Sequence, residues 1–144
     1  MATSDRNDPY SAFNFIVQID KVNVAAFSEC SGLTTETDHI EYRHGEEDIT
    51  VRKLPGLRKS PNIVLKRGFT SNKELWQWRK GVIEGRTERR SGSITLLDEA
   101  RQPALEWRFH EGWPCKWEGP ALNGKNNEVA IETLEICHEH LELA

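Results

Sequence analysis

Cys137-His138-Glu139-His140 is the densest group of chemically capable side chains in this 144-residue chain. On a strand, Cys137 and Glu139 would face one side, His138 and His140 the other. Two histidines at i, i+2 can share a metal ion, but no second ligand cluster completes four-coordination. A structural or surface role is the better reading of so incomplete a set. The cysteines Cys30, Cys115 and Cys137 are odd in number and widely spaced, with no C-x-x-C pair. They form no disulfide framework and suit a reducing compartment. Neither Cys30 nor Cys115 sits in a nucleophile elbow or a triad signature, so both read as packed thiols. The carboxylates show no spaced acid pair, and no phosphate-cradling glycine motif occurs. The expectation is a protein that is not an enzyme, with no metal and no cofactor.

Two further groups bear on binding. Trp76, Trp78, Trp107, Trp113 and Trp117 would suit a stacking platform for nucleic-acid bases, but core packing under a helix is the preferred reading. Arg79 among them would stack on a ring or bridge to a carboxylate. Between Asp48 and Glu74 there is no acidic residue, while Arg52, Lys53, Arg58, Lys59, Lys66, Arg67 and Lys73 are all basic. Such a stretch, broken by Pro55 and Gly56, is either a solvated loop or a partner contact. After Lys125 the chain carries no Lys or Arg but does carry Glu128, Glu132, Glu135, Glu139 and Glu142. A basic middle and an acidic tail serve either paired strands of one chain or a contact between copies.

The elements that must hold these residues are mostly strands. Phe13, Phe15, Val17 and Ile19 alternate with Asn14, Ile16, Gln18 and Asp20, a period of two. A turn at Asp20-Lys21 leads to a second strand over Val22–Phe27. From Thr34 to Arg43 the residues Thr35, Thr37, His39 and Glu41 give one wholly polar face, expected to meet water outside or in a wet channel. "HGEED" and "LPGL" read as breaks, and "NIVLKRG" as a resumed strand. Ser71 to Glu74 has the form of a capping box. The helix it opens would bury Leu75, Trp76, Trp78, Val82 and Ile83, expose Gln77, Lys80 and Glu84, and stop at Gly85. "GSITLLD" and "ALEWRFHEGWPCKWEG" are strands joined by a turn at 99–103, with a break or bulge at "GWP". In the last segment Val129 and Ile131 set an alternation that slips near Thr133-Leu134, which predicts a bulge or a two-sided strand.

The totals fit one domain over 1–144, with an extended loop or hairpin at about 44–60 and a helix at about 72–84. Charged residues make up 29% and the net charge is -4, which weighs against a dedicated nucleic-acid binder. No apolar run is long enough for a bilayer span, and "MATSDRNDPY" lacks the apolar core of a signal peptide. Synthesis in a cytoplasm without a membrane anchor is expected. Closely spaced strands with one helix imply an antiparallel two-sheet barrel or sandwich, mainly β with one α-helix.

Several stretches together resemble the tail tube proteins of contractile-tailed phages and related contractile injection systems: "DPYSAFNFIVQID" with "VAAFSECSGL", "TVRKLPGLRKSPNIVLKRG", "LWQWRKGVIEG", "WRFHEGWPCKWEGPALNGKNNEVAIETLEI" and "CHEHLEL". They cover nearly the whole chain in unchanged order; Cys115 and His140 look like local departures. The resemblance implies a tail-tube-type barrel, six copies to a ring, and rings stacked into a hollow tube inside a sheath. That tube is driven through a target envelope on sheath contraction and conducts DNA or protein cargo. Implied partners are other copies of itself, the sheath protein, baseplate hub and spike proteins, a tube terminator or cap, and cargo held without sequence-specific binding. The particle would be a phage tail or an injection device. On this reading Glu46, Glu47, Asp48, Arg52, Lys53, Leu54, Pro55, Leu57, Arg58 and Lys59 are candidates for contacts between subunits or rings. Thr35, Thr37, His39 and Glu41 are candidates to line the lumen, and Lys80 and Glu84 to face the sheath. The alternatives are a type VI-like secreted ring protein and a soluble β-barrel that binds a ligand.

Overall fold

A computed structural model describes residues 10, 14–25, 27–42, 45, 51–125 and 128–144. The elements in chain order are β1 (Phe15–Ile19), β2 (Val22–Ala25), β3 (Glu29–Ser31), β4 (Glu36–Tyr42), β5 (Arg52–Lys59), β6 (Ile63–Gly68), α1 (Glu74–Ile83), β7 (Arg90–Leu97), β8 (Pro103–Glu118), β9 (Ile131–Cys137) and β10 (His140–Leu143). Their order across the main sheet is β2-β1-β7-β8-β9-β6-β3, with β10 also beside β8, while among the described residues β4 and β5 pair only with each other. The mainly-β, antiparallel expectation holds.

The long strand β8 links two halves of the fold. Its first part pairs with β7, from Leu97↔Pro103 to Arg90↔Gly112. Its second part pairs with β9, from Trp113↔Cys137 to Glu118↔Thr133. Between them, at the expected "GWP" irregularity, the strand bulges without breaking. Glu111 has φ 55°, and register shifts flank the site on both sides. A bulge bends a strand and strengthens its twist, which lets one strand serve two sheets.

Period-two alternation builds the core. Val17 and Ile19 of β1, Ile63 and Leu65 of β6, Leu134 and Ile136 of β9, Ile94 of β7, Phe109 of β8 and Leu141 of β10 all turn inward, and Leu75 and Trp78 of α1 close over them. Phe109, fully buried, needs a glycine opposite. A Cβ at Gly92 would stand 2.5 Å from its Cζ and 2.8 Å from the Gln18 carbonyl oxygen.

Three expectations are corrected. No slip occurs in β9, whose register with β6 runs unbroken from Ile63↔Ile136 to Gly68↔Ile131. The inward positions are 132, 134 and 136, so Ile131 and Val129 face solvent and Glu132 is buried. A carboxylate can sit there because Arg67, its cross-strand partner, is buried beside it and bonds it through Nε. The capping box does not form either. Asn72 accepts the Glu74 amide hydrogen at 2.9 Å, the bond expected of Ser71. The helix also has a narrower apolar face than expected: Trp76 and Ile83 are exposed. Arg79 donates to the Pro114 carbonyl, and Arg90 is the cation that stacks on Trp78, 4.8 Å from the ring centroid. The stop at Gly85 is as expected, with φ 83°.

Candidate assembly interface

The basic segment is a strand. Residues 52–59, including the expected break at Pro55-Gly56, form β5 of a hairpin with β4. Register runs Tyr42↔Arg52, Glu41↔Lys53, Ile40↔Leu54 and His39↔Pro55, then shifts before Thr37↔Arg58 and Glu36↔Lys59. The irregularity at Pro55-Gly56 is therefore a bulge, the position where a strand tolerates proline.

The hairpin brings together residues that are far apart in the sequence. The lumen candidates Thr37, His39 and Glu41 share one face with Arg58, Pro55 and Lys53, and Thr35 lies just before β4. They are cross-strand neighbours on a hairpin arm. Among the described residues, β4 bonds to β5 and to no strand of the main sheet. The opposite face holds Tyr42, Ile40 and Leu54 beside Asp38 and the Glu36–Lys59 pair of positions. Glu46, Glu47 and Asp48 lie outside the described residues.

No residue of β5 is buried, and Ile40, Tyr42, Val51 and Leu54 are all exposed, with Leu57 at 78%. Ile40 and Tyr42 were not among the contact candidates, although their alternation with His39 and Glu41 along β4 marks them as one face, and Val51 lies just before β5.

Several charges of the basic stretch and the acidic tail are answered within the chain. Lys59 pairs with Asp38 at 3.0 Å, Lys66 with Glu29 at 3.7 Å, and Arg67 with Glu132. Along the acidic tail, Glu135 accepts from Asn62 at 2.9 Å, Glu139 from Arg89 at 3.0 Å and Glu142 from His110 at 3.1 Å. The His110 bond is the main cause of a lowered Glu142 pKa. Among the described residues, Arg58 has no ion-pair partner. Lys80 and Glu84 are exposed near the end of α1 and 3.8 Å apart.

The chemical candidates are dispersed. His138 hydrogen-bonds the Pro61 carbonyl at 3.1 Å, while His140 stacks on His110 with centroids 5.7 Å apart. No group of three ligands able to hold a metal ion occurs among the described residues. Cys30 lines an apolar cavity of about 390 Å³ with Tyr10, Phe15, Leu33, Leu96 and Trp107. Burial raises its pKa to about 11, which suppresses the thiolate. Of the tryptophans, Trp78 is buried, and Trp76 and Trp117 contact each other at 5.0 Å. Among the described residues, no helix is long and apolar enough to cross a membrane.

Solved structures share this architecture. A chain in the cryo-EM structure of an extracellular contractile injection system, the PVC sheath-tube complex in its extended state, is 25% identical, with 96% of this chain and 93% of that one covered and a TM-score of 0.86. A chain of the anti-feeding prophage tube-terminating cap is also 25% identical, with 99% and 95% covered and a TM-score of 0.89. Hcp1 from Flavobacterium johnsoniae, at 16% identity, 92% and 95% coverage and TM-score 0.61, shares the fold. No curated protein matches the sequence. Residues 11–142 match the family described as T4-like virus tail tube protein gp19, and with nearly the whole chain matched, this protein belongs to that tail tube family.

Proposed function

We propose that the chain is the structural subunit of the inner tube of a contractile phage tail or injection system, and that the β4–β5 hairpin is its contact arm. One observation carries this reading: a two-stranded hairpin that exposes both faces, with Ile40, Tyr42, Leu54 and Leu57 in water. An isolated hairpin is marginal in water, and clustered exposed apolar side chains mark an interface. A neighbouring subunit that covers the arm answers both conditions.

Six copies in a head-to-tail ring close on themselves, and stacked rings give a hollow tube. Pairing between subunits would also protect the edge strands β2 and β3. Arg58 and Lys53 set register between subunits, with the acidic run Glu46-Glu47-Asp48 of another copy as the complementary charge. Each exposed pair contributes only about 0–1 kcal/mol, so the charges govern orientation more than affinity. Lys80 and Glu84, exposed at the end of α1, would meet the sheath. The work is mechanical and conductive, without catalysis, and the lumen passes DNA or protein cargo. A type VI-like ring protein would use the same fold.

Negative-stain microscopy of concentrated protein, alone and with its baseplate initiator, tests this. Rings or tubes are expected. A strictly monomeric protein under both conditions would overturn the reading.

A further inference from the structure

Three aromatic rings line an open cleft where β6 hands over to α1. Phe69, Trp76 and Trp117 surround a cavity of about 220 Å³, with Glu132 also in its lining and Lys73 as its one cation. The rings are tilted against one another: Trp76 and Trp117 have centroids 5.0 Å apart, Phe69 and Trp117 6.2 Å. Phe69 is 44% exposed and Trp76 37%. Clustered aromatic rings left in water mark an interface, and tryptophan is enriched where interfaces concentrate their energy. The cleft also favours positive charge. Aromatic faces attract cations, and Glu132 contributes a buried carboxylate, fixed by the Trp117 indole at 3.1 Å. Exposed Glu118 follows Trp117 on β8. The Phe69 amide bonds the Ala130 carbonyl at 2.8 Å, which brings exposed Glu128 to the same end of the sheet.

Strand β5 has the matching chemistry. It carries Arg52, Lys53, Arg58 and Lys59 and no carboxylate. Leu57 is the most exposed apolar side chain of the described arm, so it fills no cleft in its own chain. The two surfaces also lie at opposite ends of the β6–β9 pair. Lys59 and Ser60, at the arm's base, share a cleft with His138 and His140, just beyond the Cys137 end of β9. The aromatic cleft stands at the Ile131 end, where Gly68 pairs with Ile131. Five residues of strand, roughly 17 Å, separate the register pairs Ile63↔Ile136 and Gly68↔Ile131. A head-to-tail contact needs this arrangement, with a surface and its complement on different parts of one chain.

We propose that the Phe69–Trp76–Trp117 cleft is the receptor for the arm of a second copy, with Leu57 seated among the rings and the cations of β5 turned toward the acidic rim. The inference rests on the reading of the β4–β5 hairpin as a contact arm and names the surface that the arm meets.

Sedimentation of the full chain over a concentration series measures the threshold for ring or tube assembly. Leu57→Ala and Trp76→Ala should each raise that threshold while leaving circular dichroism unchanged, since both side chains are exposed. The double variant should be no worse than the more impaired single one, as expected of two residues that touch each other. Phe69→Ala gives a second probe of the cleft should Trp76→Ala disturb the fold. Copies carrying Leu57→Cys, mixed with copies carrying Lys73→Cys and oxidised after assembly, should give a disulfide-linked dimer on a non-reducing gel. The parent chain, with its three free cysteines, serves as the control. Parent rings with every cleft variant assembling at the parent threshold would overturn this contact and leave the tube reading intact. So would additive losses in the double variant, or no linked dimer beyond that of the parent. A parent chain that forms no rings at any concentration would overturn the tube reading and this contact with it.

Discussion

Replacing Glu132 with alanine probes the one charged pair that the core contains among the described residues. Arg67 and Glu132 have side chains only 5% and 2% exposed. Glu132 accepts from Arg67 Nε through one oxygen and from Trp117 Nε1, at 3.1 Å, through the other. The guanidinium stands over Phe27, 5.7 Å from its centroid, and its Nη2 is buried without a hydrogen-bond partner. Glu132→Ala therefore leaves a buried cation uncompensated and an indole donor unmet. Removing one member of such a pair costs about 3–5 kcal/mol. At roughly 3–4 °C per kcal/mol for a domain of this size, Tm should fall by about 10–20 °C. Arg67→Met with Glu132→Leu removes both charges, and its stability should return to within about 2 kcal/mol of the parent. Urea denaturation followed by tryptophan fluorescence and circular dichroism measures all the variants in one double-mutant cycle. A loss below about 1 kcal/mol for Glu132→Ala, or a double variant as unstable as the single, would refute the buried-pair reasoning. Either result would mean that water reaches the site or that β6 and β9 are held by their apolar contacts alone.

Charge reversal on the arm separates assembly from folding. Arg58→Glu with Lys59→Glu disrupts only one exposed ion pair, Lys59–Asp38, so monomer stability should change by no more than about 1 kcal/mol. Tube length in micrographs should shorten sharply, and normal tubes would exclude the inter-ring role of these charges. Gly92→Ala drives a Cβ to 2.5 Å from Phe109 Cζ. It should destabilise by about 1–3 kcal/mol in thermal melts, and a neutral effect would mean that the Phe109 ring is free to shift. Glu88 has a lowered pKa, first through its hydrogen bond from Lys21 and then through Arg90. A depressed carboxylate contributes stability above its unfolded pKa and loses it as pH falls through the folded value. Lys21→Gln should move the Glu88 titration, read by carboxyl NMR, up toward the ordinary range, and an unmoved titration would assign the shift to Arg90.

Much of this fold is legible in one sequence because period-two alternation reports burial directly. Val17 and Ile19, Ile63 and Leu65, and Leu134 and Ile136 reveal their inward faces by type and spacing alone. The turn at Asp20-Lys21, the helix with its glycine stop, and the bulge near Pro114 follow from local chemistry in the same way. Family membership was legible through the joint order of several stretches.

Pairing is different, because it is a property of two distant segments. Nothing within residues 36–42 says that they bond to 52–59 and leave the main sheet, so the polar strand and the basic stretch read as separate features. Glu132 is inward only because Arg67 lies in register across β6, sixty-five positions away in the chain. By itself the sequence determined which residues seek burial and where the backbone bends. Only the tertiary structure decided which strands meet, since strand register is fixed by packing summed over the whole sheet.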